Sequence, residues 1–348
     1  MKAAVCYGNG VVKYEDVPTP SPQAYEVRVK IKACGICKSD VPRALKNTAH
    51  YYPIILGHEC AGVIDKIGDG VEDLKIGDRV CVIPLRPCFN CLRCKEGNYA
   101  LCHQYSFIGS RQQGGMAEYV VVPAINVYKL TANISFEQGA LFEAATVALH
   151  AYYQNNYKPG GTVAILGGGT IGMFALQWAK ILGCKKVIVF GRDKNHLNLA
   201  LELGADAIIS TEDSHFKQQA LELTNNQGFD YIFETAGTVD TIKYSFELAA
   251  PKSYVCLIGT PTREVVFSVR DWEQLNRKEF HLTGSWMSYS APFPGLEWKM
   301  TEKYFANGKL KFDDKMFFNK YPLKQAQEAF NLFTNKNTKV RGRVLLQI

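Results

Sequence analysis

Thr162-Val-Ala-Ile-Leu-Gly-Gly-Gly-Thr-Ile-Gly172 is the stretch that decides the fold. Thr162–Leu166 is a short apolar run of strand type. The glycines after it open a helix that places Ile171, Phe174, Ala175 and Trp178 on one face. Gly167, Gly169 and Gly172 fit G-x-G-x-x-G, a weak pattern by itself. Set between a strand and a helix, within strand–helix alternation, it acquires the context of a dinucleotide-binding turn. Gly167 permits the tight turn, Gly169 lets backbone approach a pyrophosphate, and Gly172 lets helix and strand pack closely. Thr170 and Ile171 open the helix, whose first amides and partial positive charge suit an anion. A glycine-rich turn with no ligand is the competing reading.

Working outward, residues 187–190, 231–233 and 254–258 are further buried strands, and residues 197–203 a helix. That alternation predicts a parallel sheet wrapped by helices. It starts near Tyr157 and breaks after about Trp286, at Ala291-Pro-Phe-Pro-Gly295. Upstream, residues 1–130 are strand-rich and punctuated by glycine and proline. Residues 27–31 alternate V-R-V-K-I, and residues 62–67 and 79–83 read likewise. Ser135 with Gln138 predicts a capping box. The tail reads as helices over 298–306 and 323–333 and a last strand over 344–348. The expected fold is α/β: a β-rich domain from residues 1–150 and 288–348, with a doubly wound parallel-sheet cofactor domain, 151–287, inserted in it.

The end of the second strand of the inserted domain selects the nucleotide. An acid there would bond the ribose 2′-hydroxyl. The chain instead has Gly191-Arg192-Asp193. An arginine can pair with a 2′-phosphate, and the missing carboxylate removes repulsion, which favours NADP(H). In the alternative, Asp193 curls back to the ribose and NAD(H) binds, Arg192 being solvated.

The 348 residues suffice for two domains, and 47% hydrophobic with 21% charged residues is ordinary for a globular protein. A net charge of +7 without long like-charged runs argues against nucleic acid as partner. No run approaches the roughly 18 apolar residues of a membrane span. With no signal-peptide stretch at the N-terminus and 11 cysteines, a reducing, cytoplasmic location is expected.

Cys88, Cys91, Cys94 and Cys102 follow C-x2-C-x2-C-x7-C. Four thiolates at this spacing close a tetrahedral shell around zinc, leaving no vacancy for substrate. The site would be structural; disulfides or unrelated buried thiols are the alternative. Gly35-Ile-Cys37-Lys-Ser39-Asp40 and Gly57-His58-Glu59 bring a thiolate and an imidazole near predicted strand ends. Glu143 is the one formal charge in the mostly apolar run of residues 139–151. A buried carboxylate must meet water, a partner or a metal. Cys37, His58 and Glu143 with a fourth open position match catalytic zinc. Alternatively, Glu143 faces solvent on the polar side of a helix.

Taken together, G-I-C-K-S-D, G-H-E, the cysteine quartet, E-x-x-T-V-A-L-H and G-G-G-T-I-G resemble, in order and over nearly the whole chain, the zinc-dependent medium-chain alcohol and polyol dehydrogenases. The strings K-N-T-A-H-Y-Y-P-I-I-L-G-H-E, F-I-G-S-R and T-G-S-W-M-S-Y-S-A-P-F-P-G-L-E-W narrow the resemblance to its polyol-phosphate members, with galactitol 1-phosphate as the implied substrate. The resemblance implies a GroES-like catalytic domain built from both ends of the chain, a Rossmann cofactor domain, one catalytic and one structural zinc, and a homodimer or homotetramer associated through the cofactor domains. It also implies that Glu59 is an exchangeable or neighbouring ligand, that Asp40 orients His58, and that Ser39 leads a proton relay continued by His50. Two departures stand out: Ala144 where polyol members usually carry proline, and Gly191-Arg192 where NAD-using relatives carry aspartate.

A sugar phosphate needs cations away from the metal, and Arg43 and Arg111 are the candidates. Two rivals remain: a sorbitol-type dehydrogenase acting on free polyols, and a zinc- and nucleotide-binding sensor or scaffold without turnover.

Overall fold

The computed structural model describes residues 1–335, 338 and 340–348. The chain divides into two compact units, Met1–Glu143 with Tyr289–Gly308 and Phe312–Ile348, and Ala144–Ser288 with Lys309–Lys311. The helix Phe142–Gln154 passes the division at Glu143, so residue 150 lies inside a helix.

The second unit is an all-parallel sheet of six strands: β1 Thr162–Leu166, β2 Lys186–Gly191, β3 Ala207–Ser210, β4 Phe229–Glu234, β5 Ala249–Leu257 and β6 His281–Gly284. Their spatial order is β3-β2-β1-β4-β5-β6. Helices α1 Thr170–Ile181, α2 Lys194–Glu202, α3 Phe216–Glu222 and α4 Val239–Leu248 connect them. Strands covered on both faces are continuous apolar runs rather than alternating ones, and Val187, Ile188 and Val189 are fully buried. Leu166, Ile188, Phe190, Ile232 and Val255 pack with Phe216, Phe229 and Phe246 as one core. Strand order reverses between β1 and β4, and such a switch point is where this architecture binds dinucleotides.

The first unit is organised by the eleven-residue strand Glu26–Ile36. Its alternation buries Val27, Val29 and Ile31 against Ile64, Val120, Val122, Leu346 and Phe330. One edge pairs antiparallel with Glu59–Ile67. The other edge is shared: residues 26–30 pair with Tyr119–Pro123, and residues 33–36 with Arg343–Gln347. Register shifts after Arg28 and Ile31 bend the strand between the two partners. The final strand of the chain is thereby laid beside Ile36, immediately before Cys37.

Local signals account for several boundaries. Ser135 accepts the Gln138 amide at 3.0 Å while the Ser135 amide donates to Gln138 Oε1 at 3.0 Å, so the capping box forms. The expected helix over 323–333 is a 3-10 turn, Leu323–Gln325, followed by a short helix, Ala326–Asn331. Among the described residues no helix is long and apolar enough to cross a membrane.

Candidate active site

The cysteine quartet sits on a short loop-and-helix lobe. All four sulfurs lie within 4.8 Å of one another, and no disulfide joins them. The Sγ separations are 3.9 Å for Cys88–Cys94, 3.6 Å for Cys91–Cys94 and 3.9 Å for Cys91–Cys102. Zn–S bonds of about 2.3 Å give tetrahedral edges of about 3.8 Å, so the cage fits zinc. Backbone amides support the sulfurs: Cys91 N–H donates to Cys88 Sγ at 3.3 Å, and Cys88 N–H to Cys102 Sγ at 3.3 Å. Four thiolates around one ion would leave no opening for substrate.

A second group of ligands gathers where the central strand ends. Cys37, His58 and Glu59 place ligand atoms within 4.8 Å of one another. Gly35 is the register partner of Glu59. A side chain at position 35 would collide with the Glu59 carboxylate, so glycine makes the room. Gly57, just before His58, has φ +99, a conformation glycine adopts without strain. Asp40 is fully buried; its Oδ2 accepts the Cys37 amide at 3.1 Å, and its Oδ1 lies 3.4 Å from His58 Nδ1. That contact sets the Asp40 carboxylate beside Nδ1 and leaves Nε2 as the nitrogen that could hold a metal.

Glu143 stands close enough to this group to feel its charges but is not within the same reach of all three. Burial pushes its carboxyl up to about 7, with His58 and Arg343 opposing. Burial also raises Glu59, although Arg343 and His58 pull it down. Burial and Glu59 work against ionising Cys37, yet His58 and Arg343 outweigh them and lower its thiol. Burial disfavours a charged His58, but Asp40 and Cys37 raise it well above its ordinary value. Two carboxyl groups, a thiol and an imidazole crowded together in the interior are a setting in which a divalent cation would compete with protons. The donor set S, N, O suits zinc.

Arg343 was not foreseen from the sequence. It is buried on the final strand, 2.9 Å from Glu59 Oε1, and its Nη1 donates to Ile36 O at 3.1 Å. The signal available was one arginine opening the otherwise apolar R-V-L-L run.

Ser39 is exposed and precedes the helix Asp40–Leu45, but its side chain makes no capping hydrogen bond. Its hydroxyl is therefore uncommitted to the helix. His50 is exposed, and its imidazole is lowered by desolvation and then by the charges of Arg111 and Arg43. Arg43, from the helix Asp40–Leu45, and Arg111 are thus near enough to His50 for their charges to act on it. Arg43 donates to Ser39 O at 2.7 Å and lies 3.7 Å from Asp40 Oδ1. Arg111 stacks on Tyr105, its guanidinium 4.6 Å from the ring centre.

In the second unit the glycine turn joins β1 to α1. Gly167 has φ +123, and a side chain at Gly172 would strike the Gly167 carbonyl. A Cβ at Gly169 would meet nothing within 4 Å, so the backbone there is open to approach, as a pyrophosphate requires. Gly191 ends β2. Arg192 beyond it is exposed and makes no ion pair among the described residues. Asp193 caps α2, its Oδ1 accepting the His196 amide at 3.0 Å and lying 3.0 Å from His196 Nδ1.

Family models match on both sides of this arrangement. Residues 23–132 match the alcohol dehydrogenase GroES-like domain, and residues 170–302 the zinc-binding dehydrogenase domain. Galactitol 1-phosphate 5-dehydrogenase of Escherichia coli K12 is 40% identical over 90% of this chain and 91% of its own. A crystal structure of galactitol-1-phosphate dehydrogenase from Escherichia coli superposes with a TM-score of 0.94 at 38% identity, covering 100% of both chains. A zinc-binding dehydrogenase from Sinorhizobium meliloti 1021 bound to NADP superposes with a TM-score of 0.90 at 28% identity, covering 100% of this chain and 99% of that one.

Proposed function

The chain belongs to the zinc-dependent medium-chain alcohol and polyol dehydrogenases, and on that premise we propose that it moves hydride between NADP(H) and a secondary alcohol of a polyol phosphate, galactitol 1-phosphate first. The observation that carries the phosphate is the gathering of Arg43, His50 and Arg111 in the unit that also holds Cys37 and Ser39. Planar guanidinium groups recognise a phosphate through paired hydrogen bonds. The relative that is 40% identical is named for the same substrate.

In this reading Cys37, His58 and Glu143 hold the catalytic zinc, Glu59 is an exchangeable carboxylate beside it, and the cysteine quartet holds a structural zinc. Zinc bound there would supply Lewis-acid charge that favours a deprotonated substrate hydroxyl. Asp40 fixes the imidazole tautomer from behind and pins the Cys37 backbone. Ser39 Oγ accepts the substrate's hydroxyl proton. His50, whose imidazole is lowered by partial desolvation and by the charges of Arg111 and Arg43, is the next acceptor on the way to solvent. Gly167, Gly169 and Gly172, with Thr170 and Ile171, seat the pyrophosphate.

The choice of NADP(H) rests on the exposed Arg192 and on Asp193, whose Oδ1 is engaged in capping α2. A carboxylate held there is a poor partner for a ribose hydroxyl. NADPH use would favour ketone reduction wherever that cofactor is kept reduced.

The test is hydride transfer, followed by nicotinamide absorbance, with galactitol 1-phosphate and galactitol, each with NADP and NAD. Turnover requiring the phosphate ester and preferring NADP is the expected result. Turnover with free polyols alone discards the phosphate site, and a preference for NAD discards the role of Arg192. Cofactor binding without hydride transfer to any polyol would indicate a sensor or scaffold.

A further inference from the structure

We propose that Glu234 is a positioning residue of the cofactor site, a buried carboxylate that fixes residues 235–238 against the glycine turn and thereby sets the shelf on which the nicotinamide half rests. Glu234 ends β4, at the point where strand order reverses, and is fully buried. A charge so placed is costly unless donors surround it. Its Oε1 accepts the Ala236 amide at 2.9 Å, the Gly237 amide at 2.9 Å and the Thr241 hydroxyl at 2.8 Å. Thr241 lies in the first turn of α4, whose N-terminus presents partial positive charge. The carboxylate therefore dictates the path of the turn between β4 and α4.

Two neighbouring strand ends are fastened to the main chain of Glu234 and to Thr235 beside it. The Glu234 carbonyl accepts the amides of Ile258 at 2.9 Å and Gly259 at 3.0 Å, which ties the chain leaving β5. On the other side, Thr235 N–H donates to Leu166 O at 3.0 Å. Its hydroxyl lies 3.2 Å from Leu166 O and 3.1 Å from Gly167 O. Space is equally constrained: a side chain at Gly259 would strike the Gly237 backbone and come 2.8 Å from Glu234 Oε2. The ends of β1, β4 and β5 thus meet at residues 234 and 235, beside the first glycine of the turn, and the Glu234 carboxylate holds the turn that follows them. Hydride transfer depends on sub-ångström placement of the ring, so loosening this shelf degrades cofactor engagement first.

The inference rests on a nicotinamide dinucleotide binding at the glycine turn, and a parent enzyme that binds neither NAD nor NADP would defeat that premise separately. The experiment compares Glu234→Ala and Glu234→Gln with the parent, all zinc-loaded. Measured are KM for cofactor and for polyol substrate, kcat, zinc per chain, and the rise in melting temperature on adding cofactor. Glu234→Ala is expected to raise the cofactor KM about tenfold or more and shrink the cofactor-induced melting shift, with zinc content and polyol KM near parental. Glu234→Gln keeps an acceptor oxygen and is expected to return the cofactor KM to within about threefold. A Glu234→Ala enzyme that melts earlier but keeps the parental cofactor KM and melting shift would show a purely structural residue and overturn the proposal. Should that variant fail to fold, Thr235→Val, which removes the hydroxyl ties to the Leu166 and Gly167 carbonyls, decides: a raised cofactor KM supports the proposal and an unchanged one overturns it.

Discussion

Arg343 Nη2 lies 2.9 Å from Glu59 Oε1, an ion pair with both side chains buried, and the same guanidinium caps the Ile36 carbonyl at 3.1 Å. One arginine thereby joins the strand end that delivers Cys37 to a carboxylate beside Cys37 and His58. Its charge is part of the balance that lets a thiol and two carboxyls share a dry site.

Removing that charge should be expensive. Arg343→Met leaves Glu59 buried without its cation, a situation that costs about 3 to 5 kcal/mol. Denaturant unfolding of the metal-free protein should show that loss. The double variant with Glu59→Gln should recover most of it, because no buried charge is then stranded. Equal stability of Arg343→Met and the parent would mean the pair is not what holds the strand end.

The two metal groups should separate by substitution. Cys37→Ala is expected to abolish turnover while cofactor binding and one equivalent of zinc persist. Cys94→Ala should also lose one equivalent, but with a lower melting temperature. Metal analysis alongside activity distinguishes them. A Cys37→Ala enzyme as active as the parent would remove that residue from the site.

Arg192→Ala tests nucleotide choice. A hydrogen-bonded charge pair with phosphate is worth about 1.5 to 3 kcal/mol, so the KM for NADP should rise roughly tenfold to a hundredfold. The KM for NAD should hardly move. A parallel rise for both cofactors would mean that Arg192 supports the loop rather than reads the phosphate.

Arg111→Ala tests the substrate phosphate in the same manner. The KM for galactitol 1-phosphate should rise by about tenfold or more while turnover of free polyol is unaffected. Because Arg111 stacks on Tyr105, Arg111→Lys is informative too. It keeps the charge but loses the planar fork, and should recover only part of the affinity.

What the sequence made legible follows from how strongly each segment repeats a pattern. β1, β2 and β4 are buried apolar runs next to turn signals, and the glycine turn is itself a motif. By contrast β3 and β6 have four residues each and lie at the sheet edges, too short and too exposed for a period to register. The cysteine cage could be read because its four ligands are close in sequence, so spacing fixes geometry. Arg343 could not, because its partner Glu59 lies at the far end of the chain and meets it only through the pairing of the last strand with residues 33–36. Glu234 was hidden for a related reason: its donors are mostly backbone amides, and these carry no residue signature.

The last strand also sets a timetable. On the ribosome, Cys37, His58, Glu59 and Glu143 all emerge well before Arg343. A nascent chain therefore holds its crowded acids and thiol with no guanidinium to offset them, and the strand end beside Cys37 lacks its neighbour. Assembly of this group of side chains thus requires the strand Arg343–Gln347 to pair with residues 33–36. The cysteine cage, by contrast, draws its four sulfurs from residues 88–102 alone.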